Sequence, residues 1–150
     1  MVLYTFAVCC ALLASARAAD DLWTTDYDGA LQRAKTEDKM VFLEFTGSDW
    51  CGGCIFLREN VFSTETFKAF ARKHLILVQL DFPLKKDIES DLKRRNEELR
   101  QKYGVMNFPA LILLNASGRK AGEIQFKSQS APEFVESLKK IAATRSVPGR

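Results

Sequence analysis

Cys51 and Cys54, with two residues between them, stand between an apolar run with strand character and a run with helix character. Met40-Val41-Phe42-Leu43-Glu44-Phe45 leads in, and Ile55-Phe56-Leu57-Arg58-Glu59-Asn60-Val61-Phe62 leads out. Two cysteines at this spacing can close a small disulfide ring and open it again. A resting structural disulfide stabilises more when it closes a longer loop. Cys51 falls where strand turns into helix. Unpaired N–H groups and the macrodipole at a helix start favour an anion, here a thiolate. The thiolate is the species that attacks disulfides.

The cysteine count depends on what happens at the N-terminus. Val2 to Leu13 is almost wholly apolar, and Ala16-Arg17-Ala18 has the small-x-small pattern of a cleavage site. A dozen apolar residues are short for a bilayer span. Residues 1–18 are therefore expected to be a signal peptide, with an uncleaved anchor as the alternative, and residues 19–150 a single domain. Removal of 1–18 takes away Cys9 and Cys10 and leaves only the close pair. Small exported domains held by disulfides usually carry several pairs. A single close pair points to reactivity, with eleven Phe in the chain to build an apolar core. The formal net charge of +3 falls to +2 without Arg17. Lys85-Lys86 and Lys93-Arg94-Arg95 alternate with Asp87, Glu89, Asp91, Glu97 and Glu98, the pattern of a solvated face. Nucleic acid is not expected as a partner.

Hydrophobic periodicity orders the rest. Asp26–Glu37 reads as a helix capped by Asp26, with Tyr27, Ala30, Leu31 and Ala34 on one face. Met40–Thr46 is a strand, and Gly47-Ser48-Asp49 a loop with Asp49 exposed. After the Cys-Gly-Gly-Cys helix, Ser63-Thr64-Glu65-Thr66 caps a short helix to His74. Leu75–Phe82 is a buried strand closed by Pro83. Asp87–Tyr103 is an amphipathic helix with Ile88, Leu92, Leu99 and Tyr103 on its inward stripe, ended by Gly104. Ala110–Leu114 is a strand, Asn115–Gly118 a turn, and Arg119–Phe126 a weaker strand. Ala131-Pro132-Glu133 opens a last helix with Phe134, Val135, Leu138 and Ile141 inward. The tail 144–150 is expected to fray. Trp23 has only a packing role. The order α-β-α-β-α-β-β-α gives an α/β class with a mixed sheet and helices on both faces.

Three stretches carry a family resemblance. They are the strand ending in Phe45 before Trp50-Cys51-Gly52-Gly53-Cys54, then Lys102-Tyr103-Gly104-Val105 shortly before Phe108-Pro109, and Ala110-Leu111-Ile112-Leu113-Leu114 running to Gly118. Together they resemble the thioredoxin superfamily over essentially all of 19–150. Thr46-Gly47-Ser48-Asp49-Trp50-Cys51 is similar to small exported bacterial members. The resemblance implies a thioredoxin fold, with about four strands in the central sheet. It implies that Cys51 attacks a substrate disulfide and that the more buried Cys54 resolves the mixed disulfide. Pro109 read alone is an ordinary trans proline at a strand start. The resemblance makes it the family's cis-proline, facing the Cys51–Cys54 loop and pairing substrate backbone beside it. Phe108 is bulkier than the residue common there. Trp50, Gly52, Gly53, Phe108 and Pro109 are then expected to contact substrate.

Glu44 interrupts an apolar strand, on the face of Phe42 and opposite Val41, Leu43 and Phe45. The resemblance aligns it with a buried carboxyl that relays protons to and from the resolving thiol. Burial raises a carboxyl pKa, which suits that work. A strand-end Glu with its carboxylate in water is the plainer alternative. Zinc would need two ligands beyond the cysteines, and His74 is the chain's single histidine. The dithiol cycle calls for no metal and no cofactor.

The expected activity is thiol–disulfide exchange that reduces or isomerises disulfides of exported proteins. Its partners would be protein thiols and disulfides and an upstream redox partner. The protein is expected to be a periplasmic or secreted monomer. A carrier dedicated to one partner, such as cytochrome maturation machinery, and a redox-inert peptide-binding module are the rivals. Gly52-Gly53 lacks both the His of strong oxidants and the Pro of reducing thioredoxins. It points to an intermediate or moderately reducing potential within a family span of about 150 mV.

Overall fold

The structure is a computed structural model that describes residues 22–144. The expected signal peptide at 1–18 lies outside them, as does the tail from 145 onward.

Its centre is β2 (Met40–Thr46), in which every residue is buried. The reason is pairing on both sides. β2 runs parallel to β3 (Leu75–Asp81) and antiparallel to β4 (Ala110–Leu114). A strand covered on both faces and both edges reads as a near-continuous apolar run. β5 (Lys120–Ile124) extends the sheet beyond β4, and β1 (Trp23–Thr24) pairs parallel with β3 at the other edge. The order is β1-β3-β2-β4-β5, so the sheet has five strands rather than the four expected. β1 is too short to show a period-2 pattern, and only its pairing with Leu77 and Val78 reveals it.

The helices are α1 (Tyr27–Glu37), α2 (Gly52–Leu57), α3 (Glu65–His74), α4 (Ser90–Lys102) and α5 (Ala131–Thr144). Asp26 caps α1 through the Gly29 N–H, and Thr64 caps α3 through the Phe67 N–H. α2 widens into a π-helical turn over Arg58–Phe62. Within that turn the consecutive residues Val61 and Phe62 are both buried.

Strand alternation sorts the core into two layers. Met40, Phe42, Leu75, Leu77, Leu111, Leu113 and Ile124 pack against Leu57, Phe62, Phe67, Phe134 and Leu138, which belong to α2 with its π turn, α3 and α5. The rings of Trp23, Phe62, Phe67 and Phe134 surround Phe42 at centroid distances of 6.0 to 6.3 Å. Burying each large apolar side chain stabilises the fold by about 1.5–3 kcal/mol. Val41, Leu43, Phe45, Ile76, Val78 and Ile112 face the other way, onto Tyr27, Ala30 and Ala34 of α1.

α4 departs from its expected form. It starts at Ser90, not Asp87, because the preceding loop is held elsewhere: the Leu84 and Lys85 N–H groups donate to Asp49. Its expected inward residues Ile88, Leu92, Leu99 and Tyr103 are only half-buried, and the fully buried residue on it is Asn96. Asn96 Nδ2 donates to the carbonyl of Asp81 at 2.9 Å, tying α4 to the end of β3. Gly104 follows with φ +64°, a left-handed conformation that glycine adopts at little cost and that stops the helix.

Candidate active site

Five elements bring residues to one end of the sheet. β2 and β3 end there, and β4 begins there. α2 starts there, and the chain leaves β5 there toward Phe126.

Gly47 follows β2 and anchors the turn: its carbonyl accepts from the N–H groups of Trp50 and Cys51 at 3.2 and 2.9 Å. A Cβ at Gly47 would collide with the indole of Trp50, so glycine is what lets Trp50 fold back over the loop. Cys51 caps α2, and its Sγ accepts from the Cys54 N–H at 3.3 Å. Cys51 and Cys54 are joined in a disulfide with Cα atoms 5.2 Å apart. Cys51 is 7% exposed and Cys54 2%. The Gly47 N–H points at Cys54 Sγ at 3.5 Å.

Around the disulfide lies an aromatic rim. Trp50 is 43% exposed, and its Nε1–H donates to the carbonyl of Phe82 at 2.8 Å. Its ring meets Phe108 edge-on at 5.8 Å, and Phe108 lies against Phe82 at 5.1 Å. The Phe108–Pro109 peptide bond is cis. Gly53 faces Pro109, whose Cδ would stand 3.1 Å from an added Cβ, whereas Gly52 faces open space.

A polar network braces the loop from behind. Ser48 donates to Asp81 through its N–H at 3.0 Å and its hydroxyl at 2.6 Å. Lys86 pairs with the same carboxylate at 3.0 Å, and Arg58 donates to the Ser48 carbonyl at 3.0 Å. Asp49, expected to be exposed, is half-buried because it holds the N–H groups of Leu84 and Lys85 at 3.0 and 2.8 Å. The Leu84 N–H, chiefly, keeps its carboxyl below the ordinary carboxylate pKa.

Glu44 is 2% exposed, so its carboxyl is not in water. It lies on the Phe42 face, the face covered by α2, which carries Cys54. Its register partner on β3 is Gln79, whose Nε2 donates to Glu44 Oε2 at 3.4 Å. Burial pushes its pKa up to about 7 against the lowering effect of the Gln79 amide and the Thr46 hydroxyl. Asp81 raises it further by charge, and Arg58 lowers it.

His74 lies away from this end. It lines a cleft with Met40, Phe70 and Leu75, at the opposite end of β2 and β3. Among the described residues no group of three or more His, Cys, Asp and Glu could hold a metal ion. No helix among them is long and apolar enough to cross a membrane.

A family model described as Thioredoxin-like matches residues 22–116, which include the disulfide, Glu44 and the cis-proline. The chain belongs to the thioredoxin-like family. It is 34% identical over 128 residues to the Disulfide bond reductase DsbH of Chlamydia pneumoniae, covering 85% of this chain and 77% of that protein. It is 26% identical to the Thioredoxin-related protein DsbJ of the same organism over 84% of this chain, but spans only 36% of that longer protein. A solved DsbH oxidoreductase structure superposes with a TM-score of 0.76 at 33% identity, covering 81% of this chain and 83% of that one. The thioredoxin fold that the resemblance implied is therefore the fold present, with five strands where about four were expected.

Within this thioredoxin-like domain, Cys51, Cys54, Trp50, Gly52, Gly53, Phe108 and Pro109 are gathered at one end. Glu44 sits inside the sheet on the α2 side. Sequence reasoning missed Phe82, Asp81, Gln79 and Phe126 as neighbours of the site. Gln79 and Asp81 could have been found from the parallel β2–β3 register, which sets Glu44 beside Gln79 and Thr46 beside Asp81.

Proposed function

We propose that this protein is a thiol–disulfide oxidoreductase that works chiefly as a reductase on disulfides of exported proteins. The observation that carries this is the Cys51–Cys54 disulfide at the start of α2, next to an exposed tryptophan and a cis-proline. Likeness to a protein named disulfide bond reductase favours reduction as the direction.

The Cys51 thiolate attacks one sulfur of a substrate disulfide. The Cys51–substrate S–S bond forms, the substrate S–S bond breaks, and the other substrate sulfur leaves as a thiolate that takes a proton. The Cys54 N–H that reaches Cys51 Sγ is one of the donors that would stabilise the Cys51 thiolate. Cys54 then loses its proton to Glu44 and attacks Cys51 Sγ. The Cys51–Cys54 bond forms, the Cys51–substrate S–S bond breaks, and the second substrate sulfur leaves as a thiolate that takes a proton. The protein ends oxidised and the substrate reduced by two electrons, and an upstream dithiol donor restores the Cys51/Cys54 thiols. Trp50, Gly52, Gly53, Phe108 and Pro109 form the surface on which the substrate segment lies. Residues 1–18 direct export and residues 19–150 act as a monomeric domain in the periplasm or outside the cell.

The test is catalytic turnover. With dithiothreitol as donor, the protein should reduce the interchain disulfides of insulin many times per molecule, read by the turbidity of the released B chain. A rate equal to that of dithiothreitol alone would rule the proposal out.

A further inference from the structure

β4 and β5 pair antiparallel with Leu111 opposite Ile124. Just outside the two strands, Pro109 precedes β4 and Phe126 follows β5 at the same end of the sheet. Leu111 and Ile124 both face the layer that holds α2, and Phe126 lies two residues past Ile124, on the same side. Its ring meets Phe56 of α2 edge-on, with centroids 6.2 Å apart. It also reaches the Cys51–Cys54 loop. A Cβ on Gly53 would stand 3.0 Å from Phe126 Cε1 and 3.1 Å from Pro109 Cδ. Carbon atoms in good contact sit about 3.5–4.0 Å apart, so a side chain there would press on both rings. A Cβ on Gly52 would meet nothing within 4 Å. The two glycines are thus unequal, and a role in redox poise alone gives no reason for the difference.

We propose that Phe126 is a specificity-determining residue: it forms the β5-side wall of the substrate groove and holds an apolar side chain next to the cysteine of an extended substrate segment. The inference rests on the oxidoreductase reading above. Across the sheet end the sequence of groups is Phe82 after β3, Trp50 and Cys51 after β2, Pro109 before β4, and Phe126 after β5. The disulfide therefore lies between an aromatic flank of Phe82, Trp50 and Phe108 and a second flank of Phe56 and Phe126. Both flanks are apolar, and they meet the reactive loop at Trp50 and at Gly53. Phe126 and Phe56 are half-buried, so each still presents surface. An apolar neighbour of the substrate cysteine gains contact there, whereas a carboxylate would lose water with no partner among these rings. Glycine at 53 is what leaves room for the Phe126 wall.

The test uses two symmetric peptide disulfides that differ only in Leu or Asp beside the cysteine. The protein should reduce the Leu peptide with a KM about tenfold lower, the scale of one buried apolar contact. Phe126→Ala should bring the ratio of the two KM values close to one, and Phe126→Leu should keep most of it. Gly53→Ala should raise KM for the Leu peptide in the native background and do so less in the Phe126→Ala background. No preference in the native protein, or a KM ratio unchanged by Phe126→Ala, overturns the assignment. An equal effect of Gly53→Ala in both backgrounds overturns the steric link between the two residues. Failure of the native protein to reduce either peptide sinks the oxidoreductase reading instead.

Discussion

Cys51→Ser should abolish turnover, and Cys54→Ala should leave the first attack intact while stopping the cycle at the mixed disulfide. Serine has no sulfur and cannot form the mixed disulfide, so loss of the nucleophile should cost on the order of 10³-fold or more in rate. Cys54→Ala removes only the second attack. Incubated with an extract of the native host envelope, that variant should collect covalent adducts through Cys51 that dissolve on reduction. Non-reducing gels followed by mass mapping give the result. Adducts formed at comparable yield by Cys51→Ser through Cys54 would reverse the two roles. Adducts to a single protein would instead identify a carrier dedicated to one partner.

Glu44→Gln should slow resolution and yet stabilise the fold above neutral pH. The folded-state pKa of Glu44 is about 7 against an ordinary 4.5, and burial is the main cause. A carboxyl whose pKa is raised by folding stays protonated in the folded protein while the unfolded chain has already lost its proton. Its contribution is full below pH 4.5, declines as pH rises from there, and is gone above about 7. The loss across that window is roughly 3 kcal/mol, an order-of-magnitude figure from 1.36 kcal/mol per unit. Glutamine keeps the shape and the hydrogen-bonding capacity toward Gln79 without the charge. The variant should therefore lack this fall between pH 4.5 and 7, seen in denaturant midpoints measured across pH. In kinetics, decay of the Cys51 mixed disulfide should lose its rise near pH 7 and slow by about 10²-fold, the usual scale for a general base. Slower decay with no gain in stability would point to distortion of the site. Unchanged decay with higher stability would leave Glu44 as a buried polar residue with no part in the chemistry.

The residues differ in how far they disclose the structure. Met40–Thr46 and Ala110–Leu114 are found in the chain with the bounds the structure gives, because a strand buried on both faces is an apolar run with abrupt ends. Asp26 and Thr64 announce their helices because an N-cap is a local event. β1 is invisible because two residues have no period, and the start of α4 is displaced because Asp49, 41 residues before Ser90, captures the loop backbone. Asn96 is the reverse case: a polar residue on an amphipathic helix reads as exposed, yet the carbonyl of Asp81 draws it inside. Cys51, Cys54 and Trp50 stand out locally, and Pro109 stands out through the family resemblance. Phe126 does not, because its place at the site follows from pairing between β4 and β5 and from the space left by Gly53.

The proposed mechanism requires Cys51 to be the nucleophile, primed by its position at the start of α2. Reduced protein titrated with iodoacetamide across pH, with each product mapped by mass, tests it most directly. Alkylation should fall on Cys51, with an apparent pKa below the free-thiol value of about 8.5, and Cys54 should react far more slowly. Alkylation mainly at Cys54, or an unshifted Cys51, would contradict it.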